Sequence, residues 1–343
     1  MKKIWMIVML GVMLGACSED SEQPFDVLQL SEVTRAASDI IDAGEDHSPI
    51  QIFLMSGTSK TEGNFVYNPD TKTWSSTIGV KENVNYIYGF SPSYAAGGSI
   101  SPIVSGAVDY SGGAVMTFNN LKAVGGDDLC VVVGVKGGST DESEPGTPAF
   151  GAFEFKKQGT TNKVSLLLDH LYAAIEFKIK IGTKYNELRD IYLKKMELQS
   201  AKTVSQAIVT LTAKADGTNP ITNVSYTSTN EPQGNMVYDY GTDASTTTGI
   251  MLSTDGKTFT SYCAPITGMG SSNLKLICTY DVYNKKGTKV RENCVAENSL
   301  AGLSGLTIAR GAKSVINLTV EPTYLYQLSE DELDNPGIKI YSE

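Results

Sequence analysis

From residue 50 to the end of the chain, apolar and polar residues alternate in short runs separated by Gly, Asn, Asp, Ser and Thr. A period of two puts successive side chains on opposite faces of an extended backbone, so the pattern predicts strands; the scarcity of a 3.6-residue period predicts few helices. In the first half the predicted strands are 50–55, 64–67, 85–90, 115–118 and 129–135. Asn68-Pro69-Asp70 supplies turn chemistry, because proline presets φ and Asx side chains bond the local backbone, so 65–74 is predicted as a hairpin. The second half predicts strands at 164–168, 173–181, 191–198, 208–211, 259–262, 274–283 and 314–320. In 174–181 apolar and charged residues alternate without a break, as expected of a strand with one buried and one wet face. A short helical turn is expected at 185–190, and 234–256, rich in Thr, Ser, Asp and Gly, is expected as a surface excursion.

Two polar stretches interrupt this pattern. Residues 137–146 carry almost nothing to bury and are predicted as an exposed loop, and 156–162 precede the apolar run 164–181. A domain boundary is therefore placed near residue 160. The length also favours two cores over one. The expected architecture is all-β, with two β-sandwiches in tandem at 36–160 and 161–343.

The first residues follow a different pattern. Lys2 and Lys3 open an apolar run that ends in Leu14-Gly15-Ala16-Cys17. The run is too short for a bilayer, which needs about 20 apolar residues. A basic start, a short apolar stretch and small residues before the cut make 1–16 a secretory signal, and the cysteine placed directly after it makes this a lipoprotein signal with the lipid on Cys17. Ser18-Glu19-Asp20 resembles the acidic tag that sends Bacteroides lipoproteins to the outer face of the outer membrane. The net charge of −10 argues against nucleic acid and anionic lipid headgroups as partners.

The remaining cysteines, Cys130, Cys263, Cys278 and Cys294, form no CxxC pair. Cys130 and Cys278 sit in apolar alternation and read as buried hydrophobes, while an oxidising compartment permits a bridge between Cys263 and Cys294. Of the two histidines, His47 and His170, the second enters a strand and reads as structural, so no metal site is expected. Gly256-Lys257-Thr258 lacks the first glycine of a phosphate loop, and no GxSxG elbow occurs. Carboxylate pairs such as Glu142 with Glu144 and Asp239 with Asp243 read as solvated loop charges. Tyr86, Tyr88 and Phe90 alternate within a strand and are expected to pack, leaving Tyr94 and Tyr110 as candidates for a ligand platform. No catalytic residue and no cofactor are expected.

Several segments together resemble the fimbrillin-like proteins of the Bacteroides group. They are the lipobox followed by Leu28-Gln29-Leu30-Ser31-Glu32-Val33-Thr34-Arg35-Ala36; Trp74 with Asn85-Tyr86-Ile87-Tyr88-Gly89-Phe90-Ser91-Pro92; Asp169-His170-Leu171-Tyr172-Ala173-Ala174-Ile175; Tyr262-Cys263-Ala264-Pro265; and Arg310-Gly311-Ala312-Lys313-Ser314-Val315-Ile316-Asn317-Leu318. The resemblance implies a subunit of a type V pilus on the outer membrane and cell surface, built from two transthyretin-like sandwiches. It further implies that a protease cuts after Arg35 to leave Ala36 as the new N-terminus, removing residues 17–35 as a leader whose apolar side chains are Phe25, Val27, Leu28, Leu30 and Val33. Losing a strand exposes unpaired backbone and apolar pockets that another subunit's strand can fill.

The chain left after such a cut has 25 basic and 33 acidic residues. In the family the donor is commonly the C-terminal segment, here 335–343, with Ile338, Ile340 and Tyr341 as candidate inserting residues; the same segment can equally fold back as the last strand of its own domain. The implied partners are other pilus subunits, the outer membrane through the precursor's lipid, and a host or bacterial surface ligand. The alternative is a monomeric surface lipoprotein that binds a glycan or host ligand.

Overall fold

The computed structural model describes residues 27–35, 47–57, 59–80, 84–93, 103–106, 110–125, 127–137, 153–156, 162–213, 220–242, 248–266, 271–303, 305–322 and 333–342. In chain order the strands of the first half are β1 (Gln29–Arg35), β2 (Ile50–Ser56), β3 (Ser59–Asn68), β4 (Thr73–Ser75), β5 (Val84–Ser91), β6 (Ile103–Gly106), β7 (Gly113–Asn119), β8 (Val124–Gly125), β9 (Cys130–Gly137) and β10 (Glu154–Lys156). There follow β11 (Lys163–His170), β12 (Ala173–Ile181), a helical turn α1 (Thr183–Asn186), β13 (Arg189–Ser200), β14 (Thr203–Thr212), β15 (Ile221–Thr229) and β16 (Gln233–Asp239). The chain closes with β17 (Ile250–Met251), β18 (Lys257–Cys263), β19 (Leu274–Asn284), β20 (Lys289–Ser299), β21 (Lys313–Glu321) and β22 (Gly337–Ser342).

These strands form two sandwiches, as the alternation predicts. One layer of the first is an eight-stranded sheet ordered β1-β11-β9-β5-β2-β3-β4, with β10 added on β5; the other is β15-β14-β7-β6. Between them Phe53, Met55, Tyr88, Phe90, Val131 and Val133 meet Met116, Phe118, Val209 and Leu211. In the second sandwich the sheet β22-β21-β12-β18-β8 faces β16-β13-β19-β20, with β17 added on β13. Its core sets Ile175, Phe177, Ile179, Ile316 and Leu318 against Ile191, Leu193, Leu276, Cys278 and Tyr280. The outward side chains of 174–181, Glu176, Lys178 and Lys180, are half-buried or exposed, so this segment alternates as read. The hairpin at 65–74 also forms: Tyr67 lies opposite Trp74, the Asn68 side chain accepts from the Asp70 N–H at 2.9 Å, and Lys72 takes φ +54° to close the turn.

The eight-stranded sheet is apolar on both faces, which a sandwich layer need not be. Along β2, Phe53 and Met55 face the first core while Ile52 and Leu54 face away into a third one. That third core holds Leu28, Leu30, Phe65, Ile78, Ile87, Val132, Phe155, Leu166 and Leu168. It can stay dry because the sheet curls until its ends meet: Val27 bridges Gly79, and the Leu28 N–H donates to the Ile78 carbonyl at 2.8 Å.

Sheet membership does not follow a single cut near residue 160. β11 and β14 lie beyond it yet pair with strands of the first half, β15 joins the same sheet through β14, and β8 from the first half pairs with β18. The apolar run 164–181 is divided between sheets at Leu171 and Tyr172.

Three expectations need correction. The helical turn falls at Thr183–Asn186, because Arg189 already begins β13. Segment 234–256 is not simply an excursion: Gln233–Asp239 and Ile250–Met251 both pair with β13 as strands, with Met236 and Met251 exposed. The proposed bridge is absent, since Cys263 and Cys294 are free thiols. Cys17, Phe25, Ala36, Tyr94, Glu142, Glu144, Asp243 and loop residues 138–146 lie outside the described residues.

Candidate functional site: strand β1 and its seat

β1 runs parallel to β11 along the edge of the curled sheet, with Gln29 opposite Lys163, Leu30 opposite Val164 and Arg35 opposite Leu168, and one irregularity between Leu30 and Glu32. Its beginning is held from both sides, because the Gln29 N–H donates to Asn162 O at 2.8 Å while Leu28 and Val27 bond to Ile78 and Gly79. The strand therefore closes the seam between the two ends of the sheet.

Side-chain placement separates the apolar residues of this segment. Leu28 and Leu30 are buried in the third core and Val33 is half-buried against it, whereas Val27 is 36% exposed. Fully burying a leucine stabilises by about 1.5–3 kcal/mol, so Leu28 and Leu30 dominate the strand's hold. Without residues up to Arg35, β11 would lose its ladder partner on that side, and Val164, Leu166, Leu168, Ile78 and Val80 would lose the leucines that cover them. An unpaired strand edge beside an apolar trough is a template for another strand.

The C-terminal candidates lie in a different sheet, at the edge of one layer of the second sandwich. β22 pairs antiparallel with β21, with Ile338 opposite Val320 and Ile340 opposite Leu318. Ile338 is buried and Ile340 half-buried against the second core, while Tyr341 is 53% exposed. The turn before β22 is anchored as well. Tyr280 Oη donates to Pro336 O and Tyr185 Oη to Leu333 O, both at 2.5 Å, and Arg189 Nε donates to Asp334 Oδ1 at 2.7 Å. Burial raises the hydroxyl pKa of both tyrosines, which keeps them as neutral donors. Within this chain the segment pairs with β21 as the edge strand of its sheet.

Tyr110 is half-buried beside Tyr88, whose hydroxyl donates to the Tyr110 carbonyl at 2.7 Å, so it packs rather than offering a free platform. His47 is exposed and stacks on Tyr67 at 3.6 Å between centroids. His170 is fully buried where β11 ends, with Nδ1 2.8 Å from Asp128 Oδ2. Beside it, Asp169 accepts from the His170 N–H at 2.8 Å and from Arg310 at 3.0 Å, tying β11 to the loop before β21. Asp128 was not singled out from sequence. The signal was its i, i+2 spacing to Cys130, which puts both on one face of an extended chain. Burial pushes the thiols of Cys263 and Cys278 up to about 12, so both behave as apolar filling.

No family model matches the sequence, and no curated protein matches it. Among solved structures, the fold is similar to a candidate cell adhesion protein from Bacteroides uniformis at 13% identity and a TM-score of 0.44, over 92% of this chain and 96% of that one. A fimbrial protein from Bacteroides vulgatus matches at 14% identity and 0.41, over 92% and 98%. A candidate cell adhesion protein from Bacteroides fragilis matches at 11% identity and 0.45, over 93% and 98%.

Proposed function

We propose that this chain is the precursor of a non-enzymatic subunit of a cell-surface fimbria, exported as a lipoprotein through Cys17, cut after Arg35 and assembled by strand exchange. The observation that carries the reading is the seat of β1: the segment that resembles a removable leader is also the seam of the curled sheet, and Leu28 and Leu30 plug its core. Arg35 is the last residue of that strand, so the bond to Ala36 lies where the ladder ends. Cutting there frees the leader without breaking any other strand.

The vacated trough would then be refilled by an extended apolar segment of a second subunit, which gives head-to-tail contacts that do not close and hence a filament. The tail bearing Ile338, Ile340 and Tyr341 is the candidate donor. In this chain it is held by Tyr185, Tyr280 and Arg189, so donation requires those contacts to release.

The test is intact mass and N-terminal sequencing of the protein recovered from the native cell surface, comparing sheared with membrane-bound fractions. A sheared, multimeric species beginning at Ala36 supports the proposal. A lipid-bearing chain beginning at Cys17, found only in membranes as a monomer, overturns it in favour of an anchored ligand-binding lipoprotein.

A further inference from the structure

The antiparallel ladder of β9 and β11 sets Cys130 directly opposite His170, on the face of the third core. Asp128 lies two residues before Cys130, so extended backbone brings it to the same side. One oxygen, one sulfur and one nitrogen from these residues all lie within 4.8 Å of one another, and all three residues are buried. His170 Nδ1 is 3.4 Å from Cys130 Sγ and 2.8 Å from Asp128 Oδ2.

These contacts converge on a single atom. An imidazole nitrogen has one in-plane valence, carrying either a proton or a lone pair, so Nδ1 cannot make two separate hydrogen bonds, one to the carboxylate and one to the thiol. Nor is the ring turned by its other nitrogen, since His170 Nε2 is buried without a hydrogen-bond partner. Its orientation is set at Nδ1, the atom that faces the other two groups. The backbone is fixed independently, through the His170 N–H to Asp169 and Asp169 to Arg310.

We infer that Asp128, Cys130 and His170 form a binding site for a borderline-soft divalent transition metal, Zn2+ foremost. A thiolate, an imidazole and a carboxylate are the donors zinc takes, whereas Mg2+ and Ca2+ take oxygen alone. With Zn–S near 2.3 Å and Zn–N near 2.1 Å, tetrahedral geometry separates sulfur from nitrogen by about 3.6 Å, close to the spacing the ladder already imposes. The carboxylate must open by roughly half an ångström from its hydrogen-bonding position. On binding, the Cys130 S–H bond breaks and its proton leaves to solvent, while the imidazole proton moves from Nδ1 to Nε2 so that the Nδ1 lone pair reaches the ion. Thiolate and carboxylate then balance the two positive charges in a buried place. Such an ion would rivet the end of β11 to the start of β9 and stiffen the strand on which the leader sits.

The test equilibrates the full chain with Zn2+, removes free metal by gel filtration and measures zinc by mass spectrometry, with Co2+ as the spectroscopic substitute. About one zinc per chain and a thiolate-to-cobalt charge-transfer band are expected. Both should be lost in Cys130→Ser and in His170→Ala and kept in Cys294→Ser, and uptake should fall at least ~10-fold in Asp128→Asn. Circular dichroism of each variant establishes that the sheets are intact. Absence of retained zinc in the unaltered chain, or uptake unchanged in folded Cys130→Ser, overturns the inference and leaves a metal-free hydrogen-bonded cluster.

Discussion

Leu30 lies opposite Val164 in a parallel ladder, and its side chain enters the core that the curled sheet encloses. Parallel neighbours cannot be joined by a tight turn, so the strand before residue 36 and the strand after residue 162 pair only after the chain between them has laid down the rest of the sheet. β1 thus holds a position that no local sequence signal near it dictates.

Truncating the inward side chains of residues 27–30 should cost far more than truncating the outward one. Leu28→Ala and Leu30→Ala are expected to destabilise by about 2–5 kcal/mol each, and Val27→Ala by no more than about 0.5 kcal/mol. Urea unfolding of the uncut chain reads the difference; equal midpoints for all three variants would mean that β1 contributes little to the third core.

The tail should loosen when a buried tyrosine loses its hydroxyl. Tyr280→Phe removes the donor to Pro336 O and leaves a buried carbonyl unpaired, at a cost of about 1–3 kcal/mol. Hydrogen exchange of residues 337–342 should accelerate with the rest of the chain unchanged, and unaltered protection there would show that strand pairing alone holds β22.

Cysteine labelling distinguishes the thiols. Under native conditions at pH 8 an alkylating reagent should reach half-buried Cys294 before Cys263 or Cys278, which are buried and whose pKa values are pushed up to about 12. After unfolding without reductant, Cys263 and Cys294 should both label. Failure of that pair to label would restore the disulfide.

Alkali should weaken the fold. A thiol held neutral by burial stabilises fully below its unfolded pKa near 9, and that contribution is lost as pH rises toward 12, because the unfolded chain ionises first. The raised hydroxyls of Tyr185, Tyr226 and Tyr280 act in the same direction above pH 10. The thermal midpoint should therefore fall from pH 9 to pH 12, and a flat profile would contradict these assignments.

Gly89 leaves no room for a side chain. A Cβ there would lie 2.4 Å from the Gln51 carbonyl oxygen and 2.8 Å from Ile52 Cδ1, where β5 runs beside β2. Gly89→Ala should destabilise by about 1–3 kcal/mol, measured by the same urea titration. No loss would show that the two strands can separate slightly.

Where burial alternates strictly, the sequence was readable. Leu274, Leu276, Cys278, Tyr280 and Val282 all enter the second core, and the hairpin around Asn68 follows from its turn residues. Edge strands were harder. β15 and β20 carry Thr, Ser, Asn, Glu and Arg on most positions because only one side of each is paired and little of either is covered, so composition resembles that of a loop. The cluster of Asp128, Cys130 and His170 was equally hidden. His170 lies about forty residues from the other two and becomes their neighbour only through the register of β9 against β11.

The exchange of strands across residue 160 has a mechanical side. With β8 lodged in the far sandwich and β14 and β15 returning to the near one, the backbone crosses between the two bodies more than once. Tension applied at the two ends would not find a single linker to straighten. A load that drew the two bodies apart would act on several backbone crossings at once.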